Sequence, residues 1–488
     1  MSLTRKVALN TIFQIVGKII VTGLSLVVIG FLTRYLGVEG YGAYTTIFAY
    51  VSFWAVLADF GFFWVLVREL SKPGADQSKV FDNVITLKFL FGLVVFVLCS
   101  IIGFFIPQYS WTIKMGIAII SASWFWMSLN GTYVGFFQSR LEMYKSVISE
   151  IVGRLLIFGG VLWLIRLGSN LEGILAVYII GNFGNFLLSF IFGSYYIKFR
   201  PAFDWYYWKI ILSESLPLAL LSFIGLIHFK IDTIILSLMK GVTDVGIYGV
   251  PYKILEIIIL LPAIFMGNVF PILTKYYHDH DKRLAGSIQK AFDFLIILAF
   301  PIVTGLIILA KPIINFIAGA DYLVASTVSF ANHDITAPII LMILAVSIGF
   351  SFILTIFSSL LTVIGKQRSQ VMPMVIITVV NVGLNIWLIP RYSYFAASVV
   401  NCITNFMMLI WWNALTHRYL GFRLRYKLVL KVFFSTLIMG FFLYIFRSYN
   451  ILISVSIGVV VFSLACYLTK VFNKDLIMQI LPKVNKEK

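Results

Sequence analysis

The sequence predicts an all-α polytopic membrane protein of about 14 transmembrane helices, with two six-helix lobes in parallel repeat plus two C-terminal helices. Of its 488 residues, 60% are hydrophobic and only 12% are charged, and the mean hydropathy is +0.98. A soluble domain carries about 25% charged residues. Long apolar runs follow one another along the chain, and one short connector occurs twice.

Each apolar run is long enough to cross a ~30 Å hydrocarbon layer as a helix. Backbone groups in lipid must be paired within a helix or a closed barrel, and runs of this length without strict alternation exclude the barrel. The first run has no small-residue cleavage site and is too long for a signal-peptide core, so we expect it to stay as the first span. The predicted spans are residues 10–33, 42–66, 83–105, 113–136, 146–166, 172–197, 213–238, 246–272, 289–309, 335–360, 372–390, 394–413, 430–447 and 452–470.

The distribution of Lys and Arg predicts the orientation in the membrane. With both termini cytoplasmic, the inward segments hold 26 of the 38 basic residues, and each of the seven outward segments holds one. The positive-inside rule describes this bias. The net charge of +18 is therefore mostly a topology signal, and nucleic acid is disfavoured as a partner because no soluble basic domain exists to bind it. We expect a multi-pass protein of the cell (cytoplasmic or inner) membrane.

The repeated connector divides the chain into lobes. GVEGYGAY at residues 37–44 joins spans 1 and 2, and GVTDVGIY at residues 241–248, a shift of 204, joins spans 7 and 8. Both face outward in the predicted topology, so the repeat is parallel, an arrangement known among transporters. Short matches also arise by chance in biased sequence, but two more agree in order: Trp-Leu-Ile recurs with a shift of 224 and Asn-Phe with a shift of 223.

These matches predict a domain organisation. The N-terminal lobe is residues 1–200 with spans 1–6, and the C-terminal lobe is residues 201–429 with spans 7–12. Residues 430–488 hold spans 13 and 14 and a cytoplasmic tail. A duplicated bundle predicts a cleft that opens alternately to each side of the membrane.

Charged side chains within the spans are the candidates for function. An ionisable group at the bilayer centre costs on the order of 3 kcal/mol, so it usually faces a cavity or a partner. Two couples also permit a purely structural interpretation, since spacings of three or four residues place both members on one helix face: Glu150 with Arg154, and Lys253 with Glu256. Lys88 lies near the cytoplasmic end of span 3, from which its ammonium can snorkel to the interface.

The remaining charges lack such an explanation. Lys18 in span 1 has no acid nearby in the sequence, which favours a water-filled lumen. In span 7, His228 and Asp232 are four residues apart and share a helix face, whereas Lys230 lies on the opposite face. A base and an acid on one face suit coupling to a proton or cation, with a structural carboxylate as the alternative for Asp232. Ion coupling is predicted for Asp59, His228, Asp232 and Glu256.

Enzyme motifs are absent from the sequence. It contains no G-x-x-x-x-G-K-[ST] loop, no H-E-x-x-H and no C-x-x-C pair, and its three cysteines are scattered among the spans. We therefore expect that the protein is not an enzyme, and that it uses no cofactor other than coupling to an H⁺ or Na⁺ gradient.

Two stretches carry a family resemblance. The first stretch contains VALNTIFQIVGKII, RYLGVEGYGAY, LADFGFF and VREL, and the second reads HFKIDTIILSLMKGVTDVGIYGVPYKILE. They resemble the polysaccharide transporter family, the Wzx-like flippases, in which a basic-x-Asp on span 7 precedes a Gly-x-Tyr turn and a Lys-x-x-Glu on span 8. The likeness covers nearly the whole chain, and only the outward segment 311–336 is somewhat long for the family. The same superfamily includes MATE-type multidrug exporters and lipid II flippases.

The resemblance implies an alternating-access flippase that moves a polyprenyl-pyrophosphate-linked oligosaccharide from the cytoplasmic to the outer leaflet for cell-surface polysaccharide biosynthesis. Its implied partners are this lipid-linked oligosaccharide, the bilayer and polysaccharide assembly enzymes. The anionic, hydrated head of such a lipid cannot cross hydrocarbon unaided, and cations in the lumen would pair with its phosphates. Substrate binding is predicted for Lys18, Lys88, Arg154, Lys230 and Lys253.

Two other functional classes stay open at this point. An ion-coupled multidrug or cation antiporter of the MATE type is the alternative, because five bases and five acids within the spans do not decide between the two transporters. A membrane-bound glycosyltransferase or polymerase is less favoured, because such enzymes generally need a sizeable non-membrane loop for sugar chemistry.

Overall fold

The computed structural model describes residues 3–421 and 424–471, with side chains described at position 10 and from position 13 onward. Nearly all of this part of the chain is helical, which confirms the predicted all-α membrane class. Two short strands, β1 (Ser329–Phe330) and β2 (His333–Asp334), form an antiparallel hairpin. The helices are α1 (Leu3–Asp59), α2 (Phe62–Leu70), α3 (Gln77–Phe104), α4 (Trp111–Ser139), α5 (Met143–Arg166), α6 (Leu171–Ser194), α7 (Trp205–Met239), α8 (Val242–Ile258), α9 (Leu260–His278), α10 (Arg283–Ile308), α11 (Ala310–Ala318), α12 (Asp321–Val324), α13 (Ala337–Val363), α14 (Val371–Leu420), α15 (Lys427–Phe446) and α16 (Ile451–Leu468).

Twelve helical segments in the described residues are long and apolar enough to cross a membrane, and two of them hold two crossings each. The 57 residues of α1 would extend about 85 Å at ~1.5 Å per residue, far more than a ~30 Å hydrocarbon layer. Its helix breaks at Gly37 (φ 65°, ψ −170°), a conformation that glycine adopts without a Cβ penalty. α14 breaks similarly at Ser393 (φ 45°, ψ −132°). Counting these halves separately gives fourteen crossings, at the places where the apolar runs predict them.

The chain forms two compact units. The first consists of Met1–Gly249 and Val382–Ala397, and the second of Val250–Asn381 and Ser398–Lys488. The lobes predicted from the sequence are the two copies of an internal repeat, and they are not the same division as these two compact units. The lobe boundaries stay a prediction.

In the first unit, α4 packs against α3 and α6, and α5 packs between α6 and α1. Two glycines let α5 and α6 approach backbone to backbone. A Cβ atom at Gly153 of α5 would lie 2.8 Å from the carbonyl oxygen of Gly181 of α6, and the converse distance is also 2.8 Å. This close approach places Arg154 of α5 and Asn182 of α6 around one space.

In the second unit, α10 packs against α9, α13 and α15, and α15 pairs with α16. The long segment between α10 and α13 contains α11, α12 and the β-hairpin, in which Ser329 pairs with Asp334 and Phe330 with His333.

The two copies of the connector pack against each other within the first unit. Gly42 and Gly246 are equivalent positions, 204 residues apart. A Cβ atom at Gly42 would collide with the carbonyl oxygen of Val242, and one at Gly246 would collide with the carbonyl oxygen of Val38. Val38 and Val242 are also 204 residues apart, so the two contacts are reciprocal.

A third contact has the same symmetry. Thr243 Oγ1 lies 3.4 Å from Glu39 Oε1, and these residues are again 204 positions apart. We call this set of contacts between residues 37–44 and 241–248 the connector contact. The shift that the sequence shows therefore reappears as a pseudo-twofold relation between the two copies.

Candidate functional site

A polar cavity of about 340 Å³ lies within the first unit, among α1, α2, α4, α5 and α6. Three charged side chains line it: Lys18 from α1, and Glu150 and Arg154 from α5. In the part of the chain that the structure describes, neither cation forms an ion pair with a carboxylate. The structural pairing of Glu150 with Arg154, which their spacing permits, is therefore not formed, and the charged lining has an excess of positive charge.

Helix packing explains how the two cations come to face one space. Gly17 of α1 lies directly against the side chain of Val147 of α5, so its neighbour Lys18 stands beside α5. Arg154 follows Gly153, the glycine through which α5 contacts α6. The sequence thus puts a cation next to each glycine contact.

Three asparagines also line the cavity, Asn130 from α4 and Asn182 and Asn185 from α6, together with Gln14 and Ser146. Each asparagine is at most 8% exposed. The Nδ2 atom of Asn182 donates to Ser123 Oγ at 2.9 Å. The Oδ1 atoms of Asn130 and Asn185 have no hydrogen-bond partner among the described residues. Because buried polar atoms are nearly always hydrogen-bonded, these two acceptors indicate a site for donor groups of a ligand or of water.

Lys88 and Asp59, predicted to have separate roles, form an ion pair. The Nζ atom of Lys88 on α3 donates to Oδ1 of Asp59 at the end of α1 at 2.6 Å. The Lys88 side chain is only 1% exposed, and the Asp59 side chain is 42% exposed. Lys88 therefore does not snorkel to the interface, and its charge is neutralised within the bundle.

We expect the ion pair of Lys88 with Asp59 to stabilise the fold. Asp59→Ala leaves the buried ammonium of Lys88 without its counter-charge, and we expect the free energy of unfolding to fall by about 3 kcal/mol. Asp59→Ala combined with Lys88→Met should recover most of that loss, because an apolar side chain of similar length fills the site. Unfolding of the purified protein in detergent measures both effects.

The exposed pair Arg68–Glu214 provides the control, since its side chains are 52% and 38% exposed. Exposed pairs contribute about 0–1 kcal/mol, so Glu214→Ala should leave the melting temperature nearly unchanged. If the Asp59→Ala variant and the double variant are equally destabilised, the pair does not stabilise the fold in this way.

In α7, His228 and Asp232 are both buried, but they are not bonded to each other. The carboxylate of Asp232 accepts from the Tyr248 hydroxyl at 2.5 Å and from the Thr233 backbone N–H at 2.7 Å. Tyr248 is the last residue of the second connector copy, so this carboxylate is tied to the connector. Neither His228 nor Asp232 lines the polar cavity, and neither does Lys230.

Lys253 and Glu256 lie in the second unit, where their side chains form an ion pair of 2.8 Å along α8. The two charges therefore neutralise each other along one helix, as their spacing permits. Of the residues predicted to bind substrate or to couple ions, Lys18 and Arg154 line the cavity, and the others do not. Their functional roles stay predictions.

Sequence analysis missed Asn130 and Asn185 as site residues, because an asparagine within an apolar run has no periodic signal. The internal repeat supplies a signal. The Asn182–Ser123 bond recurs in the second unit, where Asn405 Nδ2 donates to Ser347 Oγ at 3.0 Å. The shifts between these residues are 223 and 224, those of the sequence matches, so this bond is common to both copies.

Four of the other cavity residues have neither a charge nor an amide at the equivalent position of the second copy. Applying the same shifts, Asn130, Asn185, Glu150 and Arg154 correspond to Leu354, Met408, Met374 and Thr378. These two amides and two charges thus occur in the first copy alone. This difference between the copies could have pointed to Asn130 and Asn185 before the structure was known.

The fold is similar to the folds of several solved structures. The chain is similar to a lipid II flippase, MurJ, in an inward closed conformation, with a TM-score of 0.77 and 19% identity over 96% of this chain and 99% of that chain. It is also similar to an inward-facing multidrug resistance MATE family transporter of the MOP superfamily, with a TM-score of 0.65 and 14% identity over 82% and 94% of the two chains. A third similar structure is a MOP superfamily transporter from Pyrococcus furiosus, with a TM-score of 0.53 and 14% identity over 84% and 95%. At these identities the likeness concerns the fold.

A comparison with curated proteins finds no match. The family described as "Polysaccharide biosynthesis protein" matches residues 7–277, which is more than half of the chain. This match shows that the chain belongs to the polysaccharide biosynthesis protein family.

Proposed function

We propose that this protein is an alternating-access flippase that moves a polyprenyl-pyrophosphate-linked oligosaccharide from the cytoplasmic leaflet to the outer leaflet. The polar cavity of the first unit is the observation that carries the proposal. It presents two cations, Lys18 and Arg154, that are not neutralised by a paired carboxylate. Family membership supports the polysaccharide context.

The charge of the cavity favours an anionic substrate over a cationic drug. Its lining holds two cations and one carboxylate, that of Glu150, so an organic cation would be repelled by the nearest fixed charges. A pyrophosphate would form charge-assisted hydrogen bonds with an ammonium and a guanidinium, the strongest class of protein hydrogen bond. The same contacts would offset the desolvation of the two cations.

We also propose that Asp232 binds the proton or cation that resets the carrier. Its carboxylate is buried in α7 and is bonded to Tyr248 at the end of the second connector copy. A change in its charge would therefore act on the connector contact directly.

The proposal is tested with the purified protein in liposomes and a fluorescent polyprenyl-pyrophosphate oligosaccharide whose outer-leaflet fraction is quenched by an impermeant reductant. Lys18→Ala and Arg154→Ala should each slow flipping at least about tenfold, because each removes charge-assisted hydrogen bonds to the phosphates. Lys18→Arg should keep part of the activity, since the positive charge is what matters. Lys230→Ala, tested alongside, should also abolish flipping if the role predicted for Lys230 is right.

Lys209→Ala is the matched control, because Lys209 is exposed on α7 and does not line the cavity. Its flipping rate should equal that of the parent. Normal flipping by the Lys18→Ala and Arg154→Ala variants would remove these cations from the mechanism. Export of an organic cation without movement of the lipid would favour the antiporter instead.

A further inference from the structure

We infer that Asn130 and Asn185 recognise the sugar next to the pyrophosphate by accepting hydrogen bonds from its hydroxyl or amide groups. This inference rests on the proposed function and adds a specificity site to it. The two asparagines are 7% and 8% exposed, and both line the cavity that holds Lys18 and Arg154.

The first observation behind this inference is that two buried side-chain oxygens have no hydrogen-bond donor in the part of the chain that the structure describes. Asn130 and Asn185 line the cavity, and their buried Oδ1 atoms have no hydrogen-bond partner among the described residues. Leaving a buried acceptor unpaired is unfavourable, so such atoms are retained where something donates to them. Asn182 differs, because its amide is held by Ser123.

The second observation is a difference between the two copies of the internal repeat. Both copies keep the bond between an asparagine and a serine, which identifies that bond as part of the shared architecture. Only the first copy has Asn130 and Asn185, whereas the second has Leu354 and Met408 at the equivalent positions. The helix packing of the second copy therefore does without an amide at either position.

The chemistry of the cavity then identifies the ligand group. Glu150 and the two Oδ1 atoms are acceptors, and Lys18 and Arg154 are donors. A ligand that satisfies both sets needs an anion with several O–H or N–H donors beside it. A pyrophosphate joined to a sugar has this arrangement, and an acetamido group would also match an asparagine amide with one donor and one acceptor. A polyprenyl pyrophosphate without sugar satisfies only the cations.

The test measures the affinity of the detergent-purified full chain for three probes: a polyprenyl pyrophosphate without sugar, the same lipid carrying one hexose, and the same lipid carrying one N-acetylhexosamine. The parent should bind at least one glycosylated lipid about tenfold more tightly than the bare lipid, the effect of one or two hydrogen bonds. Asn130→Leu with Asn185→Met, which installs the residues of the second copy, should abolish this preference while affinity for the bare lipid stays within about twofold. Lys18→Ala should weaken the binding of all probes.

Asn405→Leu is the control for the loss of any buried asparagine. It removes the bond to Ser347 in the second unit, and it should lower the melting temperature without changing the sugar preference. Binding of the bare lipid reports whether the double variant is folded. The inference is overturned if the double variant keeps the preference of the parent, if it loses affinity for all probes in equal proportion, or if the parent has no preference. Failure of the parent to bind any of these lipids would instead overturn the proposed function on which the inference rests.

Discussion

A Gly42→Val variant is expected to lose the connector contact. A side chain at Gly42 meets the backbone carbonyl of Val242, which no change of rotamer can move away. Overpacking of this kind costs about 3 kcal/mol, and a shift of that size changes a conformational equilibrium by a factor of about 100. Gly246→Val should have the same effect through the carbonyl of Val38, because the two contacts are reciprocal. Both variants should also transport at least about tenfold more slowly, because the conformation that contains the connector contact is disfavoured.

Cross-linking of Glu39→Cys to Thr243→Cys by a short bis-maleimide measures this contact. The Glu39 carboxylate and the Thr243 hydroxyl lie 3.4 Å apart in the parent, so a reagent whose length makes up for the shorter cysteine side chain should join the two positions, and Gly42→Val should prevent most of the cross-linking. Gly23→Val is the matched control in the same helix, because a Cβ atom at Gly23 meets nothing within 4 Å. Equal cross-linking in the parent and the Gly42→Val variant would show that the connector copies do not need the glycine to meet.

The second large effect is expected at Asp232. Asp232→Asn keeps the size of the side chain and can still bond to Tyr248, but it can no longer change its charge. If Asp232 binds the coupling ion, flipping by this variant should cease to respond to imposed H⁺ and Na⁺ gradients, with a loss of at least about tenfold in the gradient-driven rate. The measurement uses liposomes in which the two gradients are imposed separately, with protein abundance determined in each preparation.

Asp293→Asn is the matched control, because Asp293 is a carboxylate within α10 that accepts from Gln289 at 2.8 Å and has no predicted role in coupling. It should respond to both gradients as the parent does. A gradient response of Asp232→Asn equal to that of the parent would leave Asp232 as a structural carboxylate held by Tyr248 and Thr233.

The transmembrane helices could be predicted from the sequence because each one is specified locally. An apolar run of sufficient length has no alternative to a helix in lipid, and Gly37 marks the break in α1 because a positive φ suits glycine. The ion pair of Lys253 with Glu256 was also accessible, since it depends only on positions three residues apart in one helix.

The site was less predictable because it depends on contacts between helices. Lys88 and Asp59 are 29 residues apart and on different helices, so no spacing rule joins them. Glu150 and Arg154 satisfy the spacing rule, yet they line a cavity without forming an ion pair. Spacing states which side chains can meet along a helix, whereas the neighbouring helices decide which of them do.

The asparagine–serine bond that both copies share has a consequence for how a duplicated carrier can evolve. In each copy the same interior bond holds two helices together. Neighbouring positions are therefore not needed for this helix contact and can mutate independently. One copy has amides and charges there, whereas the other has leucine, methionine and threonine. Related carriers that handle different cargo are therefore expected to vary at the positions of Asn130 and Asn185 and to retain the Asn–Ser bond, so that cargo changes without a change of scaffold.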